Sequence, residues 1–203
     1  MFDIPTEYCE QLLQIGWEPI NTLSNLAFVV AGLTAIYVLR NQKGVLKYIL
    51  PLLLILVSLG SSWWHISHSY LGDIADTLFI LIFASITGIF FLKDSLHSWT
   101  AVILSFVVLL IATLFAEQFP YINNSLPYVV LLVGFVIGGV FYVTKYPKYR
   151  MLTITAALTF ALAIFFRSID MLVCSEIAIG THFLWHILVA VFGYQLIMLT
   201  AKK

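Results

Sequence analysis

Charge is what this sequence has least of. Of 203 residues, ten are Lys or Arg and ten are Asp or Glu, 10% in all, where a water-soluble domain carries about a quarter. That shortage excludes an ordinary soluble globule. The formal net charge of zero excludes the basic excess that a nucleic-acid partner requires. Cysteine and histidine are also scarce, with two and five, so the position of each carries information. No Gly/Ser-rich or Pro-rich linker divides the chain, and no usable repeat runs through it. Up to Glu18 the chain holds Asp3, Glu7, Glu10 and Glu18 but no Lys or Arg, so it lacks the basic start and early apolar run of a signal peptide, and no cleavage is expected.

What the sequence does have is apolar length, with 62% of its residues hydrophobic. About 20 apolar residues carry a helix across roughly 30 Å of hydrocarbon. Seven windows of that kind stand between clusters of charge and turn formers: Thr22 to Leu39, Val45 to Trp64, Ile74 to Leu92, Trp99 to Phe115, Ser125 to Val143, Met151 to Phe166 and Thr181 to Thr200. Their length is too great for barrel strands, so they are read as helices whose backbone groups are satisfied internally. The expectation is one all-α integral-membrane domain over 1–203, a seven-helix bundle preceded by an outer segment over 1–21.

Orientation follows from the loop cations. With the N-terminus outside and the C-terminus in the cytoplasm, Arg40, Lys43, Lys47, Lys93, Lys145, Lys148, Arg150, Lys202 and Lys203 all lie inside, and only Arg167 lies outside. The acids divide the other way, with all but Asp94 at the outer side.

Ionisable groups at or within membrane helices are costly and therefore point to function. His65, His68, His182 and His186 fall at the outer ends of the second and seventh windows, Asp76 at the outer start of the third, and Glu18 just before the first. His182 and His186 are four residues apart, one turn along one helix face, as a helix presents two ligands to one metal. Ser61 and His65 repeat the spacing. Three neutral imidazoles with a fourth position open form a catalytic zinc site, and a carboxylate such as Asp76 could orient or deprotonate the water there. The competing account is a set of interfacial imidazoles hydrogen-bonded to neighbouring helices, with Ser61 as a helix-packing serine. His68 reads as a solvated loop histidine, Arg167 and Asp170 as a local ion pair, and Asn123-Asn124-Ser125 fits a glycosylation pattern that is common by chance.

Three blocks resemble the alkaline ceramidases, within a wider group of seven-helix membrane hydrolases that includes the adiponectin-type receptors. They are Glu18-Pro19-Ile20-Asn21-Thr22-Leu23-Ser24-Asn25-Leu26, then Gly60-Ser61-Ser62-Trp63-Trp64-His65 with Asp76 eleven residues on, and His182-Phe183-Leu184-Trp185-His186. The resemblance implies a zinc ion held by His65, His182 and His186, Asp76 as general base and Ser61 binding the developing oxyanion. It implies hydrolysis of a ceramide-like membrane lipid to a sphingoid base and a fatty acid. It also implies a Cys9 to Cys174 disulfide, on the outer side where oxidation is permitted. For the family's calcium, it implies Glu7, the Tyr8 carbonyl, Glu10 and Glu18 as ligands, although Leu12 stands near where a polar ligand is expected. The membrane would be the plasma or inner membrane in a bacterium and an ER or Golgi-type membrane in a eukaryote, with the site at the outer or lumenal side.

Two other classes fit in part. A receptor of the adiponectin type resembles an inverted topology with a long inner N-terminus, and a proton-coupled transporter leaves Ser61, His65 and Asp76 unexplained. A hydrolase of another acyl lipid shares every motif, because cavity shape decides between amide and ester.

Overall fold

The computed structural model describes residues 7–92 and 118–201 and, between them, 100, 103, 107, 108, 111, 112, 114 and 115. Among these residues there are helices and no strands. A 3-10 turn at Cys9–Leu13 leads to α1 (Pro19–Ser24), which continues almost without a break into α2 (Leu26–Leu39). Then come α3 (Leu46–Ser67), α4 (Tyr70–Leu92), α5 (Leu126–Lys145), α6 (Arg150–Ile169) and α7 (His182–Ala201). Six helical stretches are long and apolar enough to cross a membrane: Pro19–Leu39, Lys47–Ser67, Tyr70–Ile89, Leu126–Lys145, Pro147–Leu172 and His182–Ala201. The expected span from Trp99 to Phe115 falls largely outside the described residues.

These helices are apolar on both faces. In α6, Ala156, Phe160, Ala163 and Ile164 are buried against the bundle, while Ile154, Leu158, Leu162 and Phe165 point outward. A helix that is hydrophobic all round and still exposes one side suits a lipid solvent and would aggregate in water. The core runs through Phe28, Leu50, Leu54, Val57, Phe83, Phe160, Phe192 and Ile197, joining α2, α3, α4, α6 and α7.

The helices extend past the apolar windows at the end where the site lies. Pro19 to Asn21, His65 to Ser67 and Tyr70 to Asp73 are all helical, although their polarity marks breaks in the sequence. Of their polar side chains Asn21 and His65 are buried, while Ser67, Tyr70 and Asp73 stay exposed near the helix ends. Asp76 therefore sits nearly two turns inside α4 rather than at its start. His68 ends α3 in the left-handed region, at φ 45°, and its N–H bonds to the Trp64 carbonyl.

Two glycines set the geometry of this end. A Cβ on Gly60 would lie 2.6 Å from the Ala75 carbonyl oxygen, so the backbones of α3 and α4 touch there and bring Ser61 beside Asp76. Gly180, at φ +65°, precedes α7, and a Cβ there would fall on the Asp170 carboxylate. Gly180→Ala combines a disfavoured backbone with a steric collision and is expected to destabilise by on the order of 1–3 kcal/mol. Thermal unfolding in detergent would show this as a midpoint lowered by several degrees, and an unchanged midpoint would contradict it.

Candidate metal centre

His65 comes from the last turn of α3, His182 opens α7, and His186 follows one turn later. They are 0%, 2% and 2% exposed. Each offers a ring nitrogen within 4.8 Å of the other two, and among the described residues this is the one such cluster of His, Cys, Asp or Glu. The ring centroids are 4.9 Å apart for His65 and His186, 4.5 Å for His182 and His186, and 5.3 Å for His65 and His182.

Protonation follows from the partners of the outer nitrogens. The Glu18 carboxylate lies 3.0 Å from His65 Nδ1. An ionised carboxylate only accepts, so Nδ1 carries the hydrogen and Nε2 a lone pair. The Ser24 hydroxyl donates to the Asn21 carbonyl at 2.7 Å and lies 2.7 Å from His186 Nδ1. Its one proton being spent, Nδ1 of His186 is the donor and Nε2 again holds the lone pair. Those two Nε2 atoms face each other at 3.3 Å. Two buried lone pairs at that distance repel unless a cation or a shared proton stands between them. Zn–N bonds of about 2.0–2.1 Å at a tetrahedral angle place two ligand nitrogens about 3.3 Å apart, so the donor set fits zinc. The third imidazole, His182, is buried beside them with a ring nitrogen within 4.8 Å of theirs.

Glu18 is the hub of the outer layer. Besides His65 it accepts hydrogen bonds from Asn21 Nδ2 at 2.7 Å and Gln11 Nε2 at 3.0 Å, and it lies 2.7 Å from His68 Nε2. Burial alone would raise its pKa, but the polar contacts of His65, Asn21 and His68 hold the carboxyl down to about 2. His68 is thus half-buried and tied to Glu18 rather than freely solvated. Ser24 and Asn21 were not singled out by sequence, because no spacing links Ser24 to a histidine 162 residues away.

The residues expected to bind calcium are engaged otherwise. Both Glu10 oxygens accept backbone N–H groups, from Ile20 at 2.7 Å and Asn21 at 2.8 Å, which satisfies the start of α1. The Tyr8 carbonyl accepts from the Gln11 amide at 3.2 Å, and Glu18 serves the histidines. Among the described residues Glu7, Glu10 and Glu18 form no second ligand cluster. Burial raises the Glu7 carboxyl above its usual range, opposed by Arg167.

The N-terminal segment is strapped over the histidines. Cys9 and Cys174 are joined by a disulfide. The Asp170 carboxylate accepts the backbone N–H groups of Cys9 at 2.8 Å, of His182 at 2.8 Å, and of Thr181. Arg167 does not pair with Asp170. Its guanidinium donates to the Tyr8 hydroxyl at 2.9 Å and lies 5.1 to 5.6 Å from the ring centroids of Tyr128, Tyr8 and Trp185. The reason is direction: Asp170 turns toward the amides of Thr181 and His182 at the start of α7 and of Cys9 in the strap, which leaves the cation to the aromatic rings. Burial pushes the Tyr8 phenol well above its ordinary range, so it remains a neutral acceptor for Arg167.

Ser61 is buried and its hydroxyl reaches toward the half-buried Asp76 carboxyl. Asp76 is outside the cluster of three histidines, beside it rather than part of it.

No curated protein matches the chain. The family model described as Ceramidase matches residues 5–202, nearly the whole length. That match takes in the strap, the three histidines, Ser61 and Asp76, and on this evidence the chain belongs to the ceramidase family.

Proposed function

We propose that this protein is a zinc-dependent intramembrane amidase that hydrolyses ceramide-like lipids to a sphingoid base and a fatty acid. Family membership supports lipid-amide hydrolysis, that is, cleavage of a C–N bond. Zinc rests on one observation, the facing Nε2 lone pairs of His65 and His186 at 3.3 Å beside a third buried imidazole. The expected architecture belongs to the same reading: a single seven-helix domain, N-terminus outside and C-terminus in the cytoplasm, with the site near the outer face. The described loop cations support it. Arg40, Lys43, Lys47, Lys145, Lys148 and Arg150 flank the ends of α2, α3, α5 and α6 opposite to the histidines.

A zinc ion held by His65, His182 and His186 would supply a Lewis acid and lower the pKa of a water to about 7. The chain's own groups account for the proton movements. Asp76 accepts the proton given up by the attacking water and delivers it to the amide nitrogen as the C–N bond breaks. The products are then a carboxylic acid and a free amine, and the carboxyl group of Asp76 is regenerated as it began. The Ser61 hydroxyl donates to the carbonyl oxygen as negative charge develops there. Glu18 and Ser24 hold the Nδ1 hydrogens of their histidines so that Nε2 faces inward. The lipid reaches these groups sideways from the bilayer.

Metal analysis of the purified protein, with a panel of ceramides, other sphingolipids and acyl esters, tests this directly. The expected result is about one zinc per chain and release of sphingoid base that stops when a chelator strips the metal and returns when zinc is restored. Stoichiometric zinc with ester cleavage and no amide cleavage would reassign the substrate, and active protein without metal would discard the mechanism.

A further inference from the structure

The three histidines are held in different ways. His65 has the Glu18 carboxylate at its Nδ1 and His186 has the Ser24 hydroxyl. His182 has neither: its buried Nδ1 has no hydrogen-bond partner and, among the described residues, no carboxylate within ion-pair distance such as Glu18 provides at His65. A metal-binding imidazole is ordinarily oriented by a polar group on its far nitrogen, so something else must fix this ring. The Tyr8 ring lies over it, with centroids 3.7 Å apart and planes 25° from parallel.

Tyr8 is itself held on every side. It is 3% exposed, its hydroxyl accepts from Arg167 at 2.9 Å, and the next residue, Cys9, is fixed by the disulfide and by its N–H to Asp170. Asp170 also accepts the His182 N–H, so one carboxylate fixes the backbones on both sides of the stack. Arg167 holds the phenol whose ring lies over His182.

We propose that Tyr8 is a positioning residue of the metal centre, its ring doing for His182 what Glu18 does for His65 and Ser24 for His186. The N-terminal strap is then part of the site, and the Arg167 and Asp170 contacts exist to hold the Tyr8 face in register with the imidazole. This rests on the reading of the three histidines as a zinc site, and the test separates the two.

Zinc affinity of the whole protein in detergent is measured by competition with a chromophoric chelator, for wild type, Tyr8→Phe, Tyr8→Leu and His186→Ala. Tyr8→Phe keeps the stacked face but loses the Arg167 contact, so its zinc affinity should fall between those of wild type and Tyr8→Leu. Tyr8→Leu removes the face as well and should bind about 10- to 100-fold more weakly than wild type, the loss typical of an outer-layer partner. The cobalt-loaded proteins add a readout that a merely structural role would not move: the visible ligand-field bands should change in Tyr8→Leu and persist in Tyr8→Phe. If Tyr8→Leu fails to fold, Tyr8→Met, flexible and without a ring face, carries the same comparison. Wild type that binds no zinc overturns the zinc reading and this proposal with it. Wild type that binds zinc, loses it in His186→Ala, yet keeps full affinity and unchanged cobalt bands without the Tyr8 ring overturns this proposal alone.

Discussion

His186→Ala should lose both the metal and turnover. It removes one of the two Nε2 lone pairs that meet at 3.3 Å and leaves the Ser24 hydroxyl without its partner. The remaining pair, His65 and His182, cannot close a three-nitrogen site, so zinc content of the purified variant should fall from about one per chain toward zero. Loss of the Lewis acid forfeits several kcal/mol of transition-state stabilisation. Taking about 5 kcal/mol, at about 1.4 kcal/mol per decade, the rate falls by roughly 10³–10⁴. Full activity in this variant would end the zinc mechanism.

Asp76→Asn should separate chemistry from metal binding. Asparagine preserves the shape of the side chain and can still meet the Ser61 hydroxyl, but it cannot take up the proton of the attacking water. A positioned general base is worth about 10²–10⁴ in rate, so kcat should drop by that much. Zinc content should stay at the wild-type level, because Asp76 stands outside the histidine cluster. Measured together, the two variants give distinct signatures: metal and activity lost in one, activity alone lost in the other. An Asp76→Asn protein with wild-type kcat would assign the base to another group, and one without zinc would make Asp76 part of the metal site.

The placing of the polar residues was harder to read than the spans. Windows cut at His65, Ser67 or Asp73 end a helix where the first polar side chain appears, yet α3 and α4 run on, with His65 buried against the histidines of α7 and Ser67 and Asp73 exposed near the helix ends. Arg167 and Asp170, three apart at the end of a helix, look like an ion pair in sequence. In three dimensions the start of α7 offers Asp170 two backbone amides and the N-terminal strap a third, which bind a carboxylate in place of the guanidinium. The acidic N-terminal segment reads in sequence as a calcium site or as a solvated acidic stretch, since a carboxylate in sequence does not show what it meets. Folded, Glu10 meets the first amides of α1 and Glu18 meets two histidines.

By itself the sequence determined that the chain forms helices long and apolar enough to cross a membrane, from its apolar lengths and shortage of charge. It also determined which histidines belong together, because four-residue spacing on one helix is a local property and the family's blocks occur in order. The resemblance supplied the Cys9 to Cys174 pair, which the structure contains. Only the tertiary structure decided what stands behind each imidazole: Glu18 at His65, Ser24 at His186, Tyr8 at His182. The physical reason is that helical periodicity tells which residues share a face, whereas the partner of that face depends on how helices pack. Here that packing turns on contacts such as Gly60 against Ala75 and a strap pinned by Asp170 across 161 residues of chain.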